Sequence, residues 1–155
     1  MDKQMIMNEL EEVMLDINLF LSHRLGNEFT TEITKRFVSL TPNQQMTLFL
    51  VDKKGIKHVK DIANFLNIST SAVSQIVAKL EQQDILKRVI DASNRRSTVI
   101  EVGQKGKEIL NEMDRIKSTI FQRYLSLMEE EDLLVLKNSM RKFLTIIAES
   151  KEDHE

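Results

Sequence analysis

Apolar residues recur every three or four positions along most of the chain, which is the spacing of one face of an α-helix. Between Met5 and Leu25 this spacing predicts a long amphipathic helix, which Gly26 and Asn27 would end. A short helix is expected over about residues 31–38, and two longer ones over about residues 104–127 and 130–149. The chain is therefore expected to be mainly α-helical.

The centre of the chain predicts three helices in close succession. Thr41 and Gln44 can form a capping box around Pro42 at the first helical position, so a helix begins there and ends near Lys54. A second helix is expected over residues 56–67 and a third over residues 69–81. Asn67 tolerates left-handed backbone angles and Ser69 can act as an N-cap, so the turn between them is short. This is the helix-turn-helix pattern.

The third of these helices has two contrasting faces. Val73, Ile76, Val77 and Leu80 form an apolar face, whereas the opposite face is small and polar with one long cation. Such a face can enter the DNA major groove, where it offers hydrogen bonds to base edges and phosphates. The candidate DNA-binding residues of this recognition helix are Ser69, Thr70, Ser71, Ser74, Gln75 and Lys79.

A basic β-hairpin is predicted directly after the recognition helix. Residues 86–90 and 97–102 have the composition of strands, and the polar tip between them ends in Arg95 and Arg96. Arginine suits the negative potential of a narrow minor groove, so both are candidate DNA contacts. Asp91 is predicted to stabilise the wing by pairing with one of them. A solvated surface hairpin without DNA contact is the alternative.

The distribution of charge favours a nucleic-acid partner. The net charge is −2, yet residues 57–107 hold nine cations and five anions, hence +4, and the remainder holds thirteen cations and nineteen anions, hence −6. A segregated positive region is what a phosphate-binding surface requires.

Several function classes are disfavoured by the composition. The chain has no cysteine, three histidines and four glycines, so thiol chemistry, a phosphate-cradling loop and a defensible metal cluster are not expected. No cofactor is predicted. Because no apolar window approaches 18 residues and the first residues do not look like a signal peptide, a cytoplasmic location without membrane contact is expected.

The order of elements and a set of residues resemble the MarR family of transcriptional regulators. Those residues are Leu40-Thr41, Gln45, Ile62-Ala63, Leu66, Ser71, Val73-Ser74, Leu80, Ile85-Leu86, Arg88, Asp91, Arg95-Arg96 and Gly103-Gln104-Lys105-Gly106. In the family an aspartate usually precedes the two arginines, whereas this chain has Asn94. The resemblance covers nearly the whole chain.

The resemblance implies a winged helix-turn-helix domain over residues 39–102, a helical dimerisation region over residues 1–38 and 103–150, and a polar tail over residues 151–155. It also implies a homodimer that binds a palindromic operator and represses transcription until a small aromatic or amphipathic effector binds. Eight methionines and seven phenylalanines would suit a deformable apolar pocket. The effector-pocket candidates are Phe20, His23, Arg24, Met46 and Phe49.

Two other functions compete with this interpretation. An enzyme is disfavoured because no catalytic constellation is present. A winged helix that binds only protein would not need the small polar face or the paired wing arginines. DNA affinity that falls steeply with salt separates a DNA reader from such a module.

Overall fold

The computed structural model describes residues 2–150, without the side chains of Leu25 and Asn27, and these residues form a mainly helical structure. Their α-helices are α1 (Lys3–Phe29), α2 (Glu32–Ser39), α3 (Pro42–Lys53), α4 (Val59–Leu66), α5 (Thr70–Gln82), α6 (Gln104–Arg123) and α7 (Glu130–Glu149). Strands β1 (Leu86–Ile90) and β2 (Thr98–Val102) form an antiparallel hairpin in which Leu86 pairs with Val102. The predicted fold class is confirmed; the predicted tail at residues 151–155 lies outside the described residues.

Helix α1 is longer than predicted, since it ends at Phe29 and passes through Gly26. One glycine inside a helix is unfavourable by only about 1 kcal/mol, so it does not by itself end the helix. The break falls instead at Thr30 and Thr31, where α2 is capped. Thr31 Oγ1 accepts from the N–H of Thr34, and Thr34 Oγ1 accepts from the N–H of Thr31 at 2.8 Å.

The predicted capping box of α3 is present. Thr41 Oγ1 accepts from the N–H of Gln44, and the Gln44 side chain accepts from the N–H of Thr41 at 2.9 Å. By contrast, α4 begins at Val59 rather than at residue 56. The segment before it is held by β2, because the N–H of Ile100 donates to the carbonyl oxygen of Lys57 at 2.8 Å. That segment lies beside the hairpin instead of joining the helix.

The hydrophobic core lies among α3, α4, α5, the hairpin and the first part of α6. Val73, Val77 and Leu80 of α5 are fully buried there. The other buried apolar residues are Leu40, Leu48, Leu50, Val51, Ile62, Ala63, Ile85, Leu86, Ile100, Ile109 and Leu110. The apolar face predicted for the recognition helix is therefore the face that anchors it.

The chain divides into two compact units after Met113, inside α6. In the second unit, α6 ends at Arg123 and a short 3-10 helix (Leu125–Leu127) replaces its predicted last turn, a common way for a helix to end. The end of α6, this 3-10 helix and α7 line an apolar groove of about 370 Å³. Within the described part of the chain, no helix has both the length and the apolar character needed to cross a membrane.

Candidate nucleic-acid interface

The N-terminus of α5 and the turn before it are built by local hydrogen bonds. Asn67 adopts the predicted left-handed conformation, with φ 52° and ψ 48°, and its N–H donates to the carbonyl oxygens of Ala63 and Asn64. Ser69 Oγ accepts from the N–H of Ala72 at 3.1 Å, as expected for an N-cap. Ile68 packs against the core between these two caps. Together the contacts fix the angle at which α5 leaves α4.

The polar face of α5 is accessible, as its sequence predicts. Thr70, Ser71, Gln75 and Lys79 are exposed, and Ser74 is half-buried. The side chains at the N-terminal end are small, so a groove wall can approach the helix closely. Their hydroxyl and amide groups can donate to or accept from base edges.

The tip of the wing is ordered by Asp91 through contacts other than the predicted arginine pair. One carboxylate oxygen of Asp91 accepts from the backbone N–H of Ser93 at 2.8 Å and from the Ser93 hydroxyl at 2.7 Å. The other accepts from the Ser97 hydroxyl at 3.4 Å. The observed partners of Asp91 are thus serines, and its wing-stabilising role stays a prediction. An Asp followed two residues later by Ser is the spacing of an Asx turn, and this signal identifies the contact in the sequence.

These contacts also affect the acidity of Asp91. The hydrogen bond from the Ser93 hydroxyl, with a further one from the Ser93 backbone, holds the pKa of the Asp91 carboxyl below its usual value of 3.8. The Ser97 hydroxyl and the nearby His58 act in the same direction. Asp91 is therefore charged, and the turn is closed, throughout the neutral range.

The cations of residues 57–107 fall into two groups. Lys87 pairs with Glu101 at 3.4 Å, Arg88 with Glu81 at 2.8 Å, and Lys105 with Glu108 at 3.3 Å. In the part of the chain that the structure describes, the other six form no ion pair; they are Lys57, Lys60, Lys79, Arg95, Arg96 and Lys107. The cations predicted to contact DNA all belong to this second group.

The predicted effector-pocket residues form two separate sets of contacts. In α1 the guanidinium of Arg24 lies 4.7 Å from the ring centre of Phe20. The ring of Phe49 packs edge-on against Phe37, with centres 5.7 Å apart, while Met46 is exposed. Among the described residues no hydrogen bond or ring contact joins Phe20, His23 or Arg24 to Met46 or Phe49. The pocket remains a prediction.

Sequence reasoning missed one contact at this interface. Arg88 was recognised as a cation of the positive region, but its guanidinium lies against α5 rather than in solvent. An acid seven residues before a cation, across a helix–strand turn, is the available signal. In the described residues no group of three or more potential ligands could hold a metal ion.

A helix-turn-helix followed by a β-hairpin with exposed arginines defines a winged helix-turn-helix protein. Residues 40–98 match the MarR family model, so over this segment the chain resembles the MarR family. The known proteins that the chain resembles are transcriptional regulators.

Two known proteins illustrate this similarity. The chain is 28% identical over 131 residues to the transcriptional repressor MdtR of Bacillus subtilis, with 83% of each chain covered. It is 29% identical over 118 residues to the transcriptional regulator AdcR of Streptococcus pyogenes, covering 74% of this chain and 77% of that one.

Solved structures share the fold. A MarR-like regulator from Thermotoga maritima has a TM-score of 0.71 at 22% identity and covers 96% of this chain and 98% of its own. Streptococcus pneumoniae FabT in complex with DNA has a TM-score of 0.68 at 16% identity and covers 96% and 99%.

Proposed function

We propose that two copies of this chain bind a palindromic operator in cytoplasmic DNA and repress transcription there. Each α5 enters a major groove, and each wing reaches the flanking minor groove with Arg95 and Arg96. The observation that carries the proposal is the exposure of Lys79, Arg95 and Arg96 without acidic partners among the described residues, while neighbouring cations of the same domain are paired. Unpaired cations can neutralise phosphates and release counterions.

The base-reading role falls to the small polar face of α5. Ser71, Ser74 and Gln75 can hydrogen-bond to base edges, whereas Ser69 and Thr70 at the helix start can contact phosphate. The positive charge of Lys79 attracts the DNA phosphates over a longer range. For a dimer of helix-turn-helix domains, the two half-sites lie about one helical turn apart.

A homodimer is supported by the apolar surfaces that the single chain leaves uncovered. Leu10, Val13 and Met14 of α1 are more than half exposed, as are Met140 and Leu144 of α7. A chain of this size does not normally expose such long apolar helix faces to water. Lys137 and Arg141 at the α7 groove complement the acidic residues of α1, which favours a second copy as the occupant.

Release by a small aromatic or amphipathic molecule belongs to the same proposal. The aromatic and methionine side chains of Phe20, Met46 and Phe49, with the cation of Arg24, have the chemistry to bind an apolar anion. Effector binding would lower operator affinity only if the effector favours a dimer geometry different from the one that DNA favours.

Selection from a pool of random-sequence duplexes tests the proposal. The enriched duplex should be palindromic and should bind at least about 10³-fold more tightly than a scrambled duplex of equal length. Its log affinity should fall linearly with log salt, by about 0.9 per phosphate contacted. Failure to enrich any duplex, or a flat salt response, would leave the protein-binding module as the function.

A further inference from the structure

The recognition helix and the wing are joined by a side-chain contact as well as by the chain between them. Arg88 lies in β1, yet its guanidinium Nη1 pairs with Glu81 Oε2 in α5 at 2.8 Å. Its Nη2 donates to the carbonyl oxygen of Ser74 at 3.3 Å. Its backbone N–H donates to Glu81 Oε1 at 3.1 Å. We call this set of contacts between Arg88, Glu81 and the Ser74 carbonyl the helix–wing bracket.

The bracket spans two turns of α5. Ser74 and Glu81 are seven positions apart, so they lie on one side of the helix and about 10 Å apart along its axis. A guanidinium can hold both because its donors are arranged in a rigid planar fork. The bracket therefore restrains rotation of α5 about its own axis relative to β1.

The charges of the bracket are not those of a DNA contact. Glu81 is an anion on the helix that carries the predicted base-reading residues, where it repels phosphate. The guanidinium of Arg88 lies against α5, and the side chain is 32% exposed. If only attraction to DNA mattered, an acid at Glu81 would be unfavourable and Arg88 would be free to contact DNA.

We infer that Arg88 and Glu81 are positioning residues for operator recognition: they hold α5 in the rotation that presents Ser74 and Gln75 to the bases. The bracket acts on Ser74 through its backbone carbonyl, and Gln75 is the next residue. Hydrogen bonds to base edges depend on angle, so a small rotation weakens reading of the operator more than it weakens contact with phosphates. This inference rests on the proposed function.

The decisive variant is Glu81→Ala, because the two explanations predict opposite results. If charge alone matters, removal of an acid strengthens binding to every duplex. If the bracket positions α5, affinity for the selected palindromic duplex falls about two- to fivefold, the range expected for loss of a partly exposed charged contact. Affinity for a scrambled duplex should not fall, so the ratio of the two affinities decreases.

Arg88 gives the second half of the test. Arg88→Ala should lower affinity for the palindromic duplex while leaving the salt slope unchanged, whereas a phosphate-contacting arginine would reduce the slope by about 0.9. Arg88→Lys keeps the charge but not the fork, so it should not restore affinity. The double variant should be no weaker than either single one, because both remove the same bracket.

A matched control lies on the same strand. Lys87 pairs with Glu101 across the hairpin, and among the described residues neither forms a hydrogen bond or ion pair with α5, so Lys87→Ala and Glu101→Ala should leave the affinity ratio unchanged. If Glu81→Ala unfolds at the assay temperature by circular dichroism, Glu81→Gln takes its place. Equal or tighter operator binding by the Glu81 variant, with wild-type discrimination, overturns the bracket. Absence of operator binding by the unmodified chain instead overturns the proposed function.

Discussion

The backbone of Gly106 lies so close to the carbonyl oxygen of Ile85 that a Cβ atom added to Gly106 would overlap that oxygen. Two further contacts hold the same junction: the N–H of Gly103 donates to Ile85 O at 2.9 Å, and the N–H of Lys105 donates to Asp84 O at 3.0 Å. The start of α6 is thus attached directly to the turn that follows the recognition helix.

Gly106→Ala should therefore lower the free energy of unfolding by about 1–3 kcal/mol, because overlap with a fixed backbone atom outweighs the higher helix propensity of alanine. Urea unfolding at fixed protein concentration measures the change. Gly26→Ala is the control: Gly26 also lies inside a helix but has nothing within 4 Å of its Cβ position, so this variant should gain about 0.5–1 kcal/mol. Equal changes in the free energy of unfolding at the two sites would mean that Gly106 does not lie close to the Ile85 carbonyl.

A second prediction concerns the pKa of Asp91 in the wing. Because the pKa of Asp91 is below 3.8 in the folded chain, its contacts stabilise the wing above that pH and are lost as the pH falls through the folded pKa. The carboxyl carbon shift of Asp91, followed by NMR during acid titration, should give a midpoint below 3.8. Asp91→Asn should remove this acid-dependent step from the chemical shifts of the wing.

The variant Ser93→Ala tests which hydrogen bond lowers the pKa of Asp91. Loss of the largest contribution should raise the Asp91 midpoint toward 3.8, and Ser97→Ala should raise it less, because its hydrogen bond is 3.4 Å long rather than 2.7 Å. An unchanged midpoint in Ser93→Ala would show that the serine does not hold the carboxylate.

Much of the DNA-binding domain could be predicted because its signals are local. The capping box at Thr41, the left-handed Asn67 and the N-cap Ser69 each depend on residues within one helical turn, and all three are present. The strand boundaries were right to within one residue, since a polar six-residue tip separates two apolar runs.

The errors have different physical origins, and one of them is a contact between distant segments. The start of α4 was wrong because the Lys57 carbonyl binds Ile100 in β2, which no local pattern reveals. The predicted partner of Asp91 was an arginine, whereas its carboxylate accepts from Ser93 and Ser97, because the Asx-turn spacing of Ser93 was not used. The end of α1 was wrong because a glycine was weighted above the downstream cap at Thr31.

A third prediction concerns the wing arginines. Arg95→Ala with Arg96→Ala should weaken binding to the selected operator by roughly 1–3 kcal/mol and reduce the salt slope, while the chain stays dimeric. Fluorescence anisotropy over a salt series measures both quantities. Lys35→Ala with Lys117→Ala removes the same charge from ion pairs outside the winged domain and should leave the slope unchanged. If the arginine variant bound as the unmodified chain does, the wing would not touch DNA.

The last prediction concerns the uncovered apolar face of α7. Met140 and Leu144 are 64% and 65% exposed in the single chain, and both line the groove beside α6. Met140→Glu with Leu144→Glu should leave the fold intact, because neither side chain is in the core, but should produce monomers, because an interface would have to bury two unpaired charges. Sedimentation equilibrium measures the mass.

The matched control places the same charges on apolar residues of the DNA-binding domain. Phe65 and Ile90 are 57% and 68% exposed, so Phe65→Glu with Ile90→Glu should remain dimeric. Monomers of the α7 variant should also lose at least about a hundredfold in operator affinity, because the second half-site is no longer bound within one molecule. A dimeric α7 variant with unmodified operator affinity would place the interface elsewhere. A monomer with full affinity would contradict recognition of a palindrome by two linked helices.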